Sequence, residues 1–206
     1  MTELPLPDFY DDIALSFAEA QRLVQSGASD RRVAAHHPVV ATVDAEGVPQ
    51  QRVMILRDVD WASRELRFHT DSRSAKVEHV QNPNISVLIY DEPAKVQLRL
   101  TGSSALACNN ISEAAWANST PFARRCYMAH TAPGSYCDYP TSGLPDWIEG
   151  RQPTELQLVD ARINFAAVVV TVETVEWLYL ANAGHRRARW SWDHTHAEWS
   201  GRWLVP

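Results

Sequence analysis

Apolar and polar residues alternate in short runs along most of this chain, and a longer period appears only near its start. Between Asp8 and Gln25, Ile13, Phe17, Ala20 and Val24 recur at helical spacing, and Gly27 suits a helix stop. This predicts an N-terminal helix over about 8–26. Strand patterns follow at 33–43, 48–56 and 66–70, with Asp44-Ala-Glu-Gly47 as a turn and Asp58-Val-Asp60 as a break. Further strands are expected at 85–90 and 96–107, where Val96, Leu98 and Leu100 alternate with Gln97, Arg99 and Thr101, and Gly102 marks a bulge. Ser112 to Asn118 has helical character with Ser112 as N-cap, and Thr120-Pro121 opens another short helix. Residues 132–153 form a long irregular loop, and 154–160 a short helix. Strands return at 164–180, 185–192 and 199–204, separated by turns at 181–184 and 193–197. No linker or repeat divides the chain, so a single domain over 1–206 is expected, mainly β with helical excursions, as a closed or split antiparallel barrel.

The stretch from Arg52 to Lys76 concentrates the chemistry. Arg52 and Arg57 bracket an apolar run, Leu66 and Phe68 alternate with Arg67 and His69, and Thr70-Asp71-Ser72 leads into a helix predicted over 74–81 and ended by Asn82-Pro83. Arg52, Arg57, Lys76 and nearby hydroxyls around a helix start could hold a phosphate. Solvated charges on a hairpin would produce the same pattern, and the residues alone leave both readings open.

Composition narrows the partners. A net charge of −6 argues against general binding to nucleic acid or to anionic membranes, so a local cation cluster fits a small anionic ligand. No apolar run is long enough for a transmembrane helix, and the N-terminus lacks the features of a secretion signal. Cys108, Cys126 and Cys137 contain no C-x-x-C and read as reduced thiols of a cytoplasmic protein. Of 8 tryptophans, Trp177, Trp190, Trp192, Trp199 and Trp203 crowd the C-terminal end, chiefly as core or subunit-contact residues.

The RVMILR strand, the FHT strand end, the S-x-K helix start, the VQLRLTG strand and the closing basic strand with WLVP resemble, in order and spacing, the pyridoxamine 5′-phosphate oxidase-related family of flavoproteins. The resemblance runs from about Val33 to Pro206. It implies an FMN-binding split β-barrel, antiparallel and Greek-key-like, that forms a homodimer with FMN at the subunit interface. It also implies that Arg52 and Lys76 hold the FMN phosphate, helped by Ser74, and that Val53, Met54, Ile55 and Leu56 lay backbone along the flavin ring. Arg57 would lie beside flavin and substrate, His69 and Thr70 near the ribityl phosphate, and Gln97 would arrive from the second subunit. Trp177 and Arg189 would close over the cofactor, with Gly134 and Ser135 near a loop contact.

The departures from the family pattern fall in the substrate site. The phosphate-binding positions of the middle helices read Trp116, Thr120 and Arg124, so the expected arginine is missing and Arg124 is the candidate substitute. The late Arg-x-His-x-Arg motif reads His185, Arg187 and Arg189. The implied activity is hydride transfer from a small substrate to flavin N5 with reoxidation by oxygen, Arg57 and Arg187 being the catalytic candidates and Trp116, Arg124, His185 and Arg187 the substrate contacts. The alternative is a flavin-binding reductase or carrier without B6 oxidase activity. A haem-binding barrel could draw on His36, His37, His194 and His196, but these read as ordinary strand-start and surface residues, and no metal site is expected.

Overall fold

A computed structural model describes residues 6–80 and 84–206. Helix α1 (Ile13–Ser29) is capped by Asp12, whose Oδ1 accepts from the Ala14 and Leu15 amides at 2.8 and 2.9 Å. It starts and ends later than the expected 8–26, and Gly27 lies inside it. A Cβ at Gly27 would collide with the Ala35 backbone, so this glycine permits a close approach and is not a stop. The approaching segment is a short 3₁₀ turn, Ala34–His36, where an unbroken strand was expected.

The described residues build one nine-stranded antiparallel sheet. Its strands are β1 (Val39–Val43), β2 (Pro49–Val53), β3 (Leu56–Asp60), β4 (Glu65–Asp71), β5 (Ile85–Asp91), β6 (Val96–Leu106), β7 (Phe165–Tyr179), β8 (Arg186–Asp193) and β9 (Glu198–Leu204). The order along the main path is β2-β1-β5-β6-β7-β4-β3, with β8 on β7 and β9 on β8. Strand β7 changes partner along its length: Thr171 back to Phe165 pairs β4, while Thr174 to Tyr179 pairs β8. The register of β6 against β7 shifts between Thr101 and Gly102, where a Cβ would strike the Thr171 carbonyl, so the expected bulge is present.

The expected 48–56 strand is two strands. β2 pairs β1, the chain leaves that ladder at Met54-Ile55, and β3 then pairs β4 through the Asp58-Val-Asp60 segment expected to be a break. The split follows burial: Val53 is exposed, whereas Met54 and Leu56 enter the core. The helix expected at 74–81 is one turn, α2 (Lys76–His79), and its proposed end at Asn82-Pro83 lies outside the described residues.

The main core fills with the inward residues of the strands, including Leu56, Phe68, Ile89, Leu98, Leu100, Val170, Val172 and Trp177. A smaller core of Ala115, Tyr127, Leu158, Ala161 and Phe165 lies under α3 (Asn109–Ala117) and α4 (Pro121–Arg124). Ser112, expected as a cap, is instead buried within α3, which Cys108 precedes. Thr120 caps α4 with Pro121 at its first turn, as its sequence predicts.

Candidate functional site

Two cations meet over hydroxyl groups at one end of the barrel. β2 sets Arg52 opposite Val40, and the guanidinium reaches back to the Val40 carbonyl at 3.3 Å and to Thr42 Oγ1 at 2.7 Å. Thr70 near the end of β4, Ser74 in the following turn and Lys76 at the start of α2 form the facing side. Lys76 Nζ donates to Ser74 Oγ at 2.7 Å and to Thr70 Oγ1 at 3.3 Å. Burial, reinforced by the charge of Arg52, pushes the Lys76 ammonium below its usual range. The neighbouring carboxylate, Asp71, is held bidentately by Arg73 at 3.0 and 2.7 Å. Arg52 and Lys76 thus have only neutral partners, and their field is poised for an anion. With one turn and no side-chain cap, α2 adds little dipole, so side chains build this cradle where a helix start was expected to contribute.

The next part of the stretch faces elsewhere. Val53 is exposed, Met54 donates its amide to the Pro38 carbonyl at 3.0 Å, Ile55 is half-buried and Leu56 is buried. Met54-Ile55 belongs to neither ladder.

A cavity of about 260 Å³ lies between the β3–β4 hairpin, the C-terminal end of α1 and helices α3 and α4. Arg57, Arg67, His69, Asn118, Ser119 and Thr120 line it. Arg67 pairs with Asp58 at 2.9 Å. Nε of Arg57, Nε of Arg67 and Nε2 of His69 are buried with no hydrogen-bond partner. His69 packs edge-on against Phe165, and burial followed by the charges of Arg57 and Arg67 lowers its pKa to about 3. Strand alternation therefore separates the expected His69–Thr70 pair. Thr70 turns to Lys76, while His69 joins Arg57 on the opposite face.

Arg124 is 7% exposed and grips Glu155 at 2.9 and 2.7 Å, 5.2 Å from the Trp116 ring. Trp116 packs on Tyr127 and Phe165. The guanidinium fork proposed for substrate is thus already filled by a carboxylate, and Thr120 is the member of that trio lining the cavity.

The third group lies on the outer face of β6, β7 and β8. Gln97, Arg99, Glu176, Leu178, Arg187 and Arg189 share it by strand register. Trp177 alternates to the other face, is 0% exposed, and packs on Phe9 and Tyr179. Its expected role of closing over a cofactor is corrected by this parity: a residue between Glu176 and Leu178 must point into the core. His185 is exposed and lines a shallow cleft with Arg187 and Leu204, and Arg186 pairs with Asp11 at 2.7 Å. Ser135 donates to the Ala132 carbonyl beside Gly134 in the exposed loop. Of the histidines weighed as ligands, His36 Nδ1 lies 2.6 Å from the Gly27 carbonyl, and His194 and His196 each sit 2.8 Å from a carboxylate, Glu173 and Asp193.

Thr42, Arg67, Glu155 and Glu176 were not anticipated. Arg67 was detectable, since it alternates in phase with His69. Thr42 faces Arg52 across the β1–β2 hairpin, while Glu155 and Glu176 act through partners on elements that only the fold brings together.

Residues 19–107 match the family model described as pyridoxamine 5′-phosphate oxidase, FMN-binding domain. A pyridoxine/pyridoxamine 5′-phosphate oxidase of Chromohalobacter salexigens is 27% identical over 176 residues, covering 81% of this chain and 77% of that protein. The enzyme of the same name from Cronobacter sakazakii is 39% identical over 67 residues, 32% of this chain and 30% of its own length. Among solved structures, a pyridoxamine 5′-phosphate oxidase-related, FMN-binding protein of Nostoc punctiforme superposes with a TM-score of 0.73 at 22% identity, covering 98% of this chain and 100% of that one. PhzG of Burkholderia lata, in complex with tetrahydrophenazine-1-carboxylic acid, superposes with a TM-score of 0.69 at 18% identity, covering 98% of each chain. The fold is the FMN-binding split barrel, and FMN is the cofactor that goes with it.

Proposed function

Residues 19–107 belong to the FMN-binding domain family of pyridoxamine 5′-phosphate oxidase, and from that premise we propose that this protein is an FMN-dependent oxidoreductase acting on a small anionic substrate. The observation that carries the reading is the cradle in which Arg52 and Lys76 converge with no carboxylate of their own. Arg52, Lys76, Ser74 and Thr70 would hold the FMN phosphate, with Thr42 fixing Arg52. FMN, when bound, supplies the hydride-accepting chemistry. Backbone at Val53 to Leu56 would lie along the ring, and a second copy of the chain would bring Gln97 and Arg189 to it across a homodimer interface.

The chain's own residues would orient the substrate. Arg57 has no ion-pair or hydrogen-bond partner among the described residues, and Arg67, His69 and Thr120 share its cavity. Arg57, with Arg31 in the same cavity lining and Arg67 already paired to Asp58, and a neutral imidazole form a site for a phosphate or carboxylate. His69, neutral through the physiological range, would offer a hydrogen bond and no charge. The name of the 27% identical relative points to a B6 phosphate, and the ligand in the PhzG structure is a carboxylic acid. Both classes carry the anion that this cavity suits.

A second reading, a flavin-binding reductase or carrier without B6 oxidase activity, is favoured by one observation. Arg124 is committed to Glu155, and position 120 holds a threonine. One experiment addresses both readings. Purified protein supplied with FMN is expected to show bound-flavin absorbance, and replacing Arg52 and Lys76 together by Ala is expected to weaken FMN binding at least tenfold. Undiminished affinity would rule out this cradle as the phosphate site. Peroxide release on adding pyridoxamine or pyridoxine phosphate would select the first reading with a B6 substrate, and flavin binding with no peroxide would favour the second.

A further inference from the structure

Glu176 occupies an unusual place on the outer sheet face. It stands directly between Arg99 of β6 and Arg189 of β8 in the two ladders, with Arg187 two residues along β8. Although it lies on the face away from the main core, its side chain is only 6% exposed, because the guanidiniums cover it. Oε1 accepts from Arg99 Nη2 at 2.6 Å and from Arg187 Nε and Nη2 at 3.1 and 2.7 Å. Oε2 accepts from Arg189 Nε and Nη2 at 3.2 and 2.7 Å. Despite its burial, these three donors hold the carboxyl down to about 2.

One carboxylate under three guanidiniums leaves the face positively charged on a chain whose net charge is −6. Arg187 and Arg189 each use their Nε–Nη2 edge on Glu176 and Arg99 only its Nη2, and all three side chains remain partly exposed. Long cationic side chains on an open sheet face would otherwise sample many rotamers, and a shared buried acceptor removes that freedom for all three together. Carboxylate charge by itself would weaken an anion site, so what Glu176 contributes is direction.

We propose that Glu176 is a positioning residue that fixes Arg187 and Arg189 in the orientation in which they present positive charge to the pyrimidine edge of an FMN bound at the subunit interface. This rests on the reading above that the chain binds FMN and that this face meets it. A purely structural role for Glu176, tying β6 to β8, would leave the chemistry at the flavin unchanged.

Sulfite separates the two roles without requiring the natural substrate. It adds reversibly to protein-bound FMN and binds more tightly where fixed positive charge lies beside the pyrimidine edge. Its dissociation constant, followed by the bleaching of flavin absorbance, is to be measured for FMN-loaded wild type, Glu176→Gln, Arg189→Ala and the double variant. Each single change is expected to weaken sulfite binding at least tenfold. The double variant is expected to be no weaker than Arg189→Ala alone, because Glu176 acts through the arginine. FMN affinity, set chiefly by the phosphate cradle, is expected to stay within about threefold of wild type in Glu176→Gln. Unchanged sulfite binding in Glu176→Gln overturns the proposal. So does tighter binding, the result of simply removing a negative charge, and so does full additivity in the double variant. Should Glu176→Gln not fold, Glu176→Asp retains the charge one methylene further back; it is expected to weaken sulfite binding measurably, and no change there is equally fatal. A wild-type protein that takes up no FMN would instead sink the FMN reading, and this inference with it.

Discussion

Arg57 carries a positive charge into a cavity lined by no acidic side chain, and His69 beside it sheds its proton chiefly because it is buried, with the charges of Arg57 and Arg67 adding to the effect. Because the folded imidazole titrates near 3 and the unfolded one near 6.5, the unfolded chain binds the extra proton between those values. Stability from this residue is therefore fully present above about pH 6.5 and falls as pH drops toward 3, with a slope of at most about 1.4 kcal/mol per pH unit. In urea titrations from pH 7 to 4, His69→Gln should flatten that part of the decline. An equal slope in the variant would show that other groups cause it. An anion seated on Arg57 should raise the imidazole's affinity for a proton, so added phosphate should also shorten the decline from its low-pH end.

At the scale of elements, Gly27 offers the sharpest test. Gly→Ala inside an exposed helix ordinarily gains about 1 kcal/mol. Here the added methyl would meet the Ala35 backbone, and Gly27→Ala is expected to cost about 2 kcal/mol instead, read as a drop in denaturation midpoint. A gain would mean that α1 and the 34–36 turn can separate freely. The same glycine shows what the sequence could convey. The periodicity of Ile13, Phe17, Ala20 and Val24 identified the helix, and the alternation along 96–101 identified β6 and its polar face. Why Gly27 is glycine depended on a segment that only tertiary packing brings close. The break at Met54-Ile55 was hidden because both sides of it are apolar, so hydrophobicity could not reveal that the chain changes partner strand. The candidate site divided in the same way. Ser74 and Lys76 lie close in sequence, but only the family resemblance chose Arg52 over Arg57 to join them, and the fold brings the three together. Trp177 was misplaced because motif position took precedence over strand parity, and Glu155 could not be matched to Arg124 without the fold.

At the scale of the whole molecule, the three candidate regions occupy separate surfaces of one sheet. The phosphate cradle and the Arg57 cavity hang on either side of the short joint between β2 and β3, while the arginine face lies across β6 to β8. A dimer that apposes the arginine face of one copy to the cradle of another would join them.

The partner change within β7 also constrains how the protein is made. β4, which bears Thr70 and His69, finds its second ladder only at residues 165–171, and the Ser72 amide closes onto the Asn164 carbonyl. Strand pairings of this sequence separation form slowly and late. A ribosome that has released only residues 1–107 has exposed every part of the cradle yet left the outer edge of β4 unpaired. A fragment of residues 1–107 is therefore expected to stay unfolded by circular dichroism and to take up no FMN, although it contains Arg52, Ser74 and Lys76. Cofactor capture by such a fragment would show that the cradle folds without β7. Otherwise the flavin must wait until residues 165–171 have been made and have paired with β4.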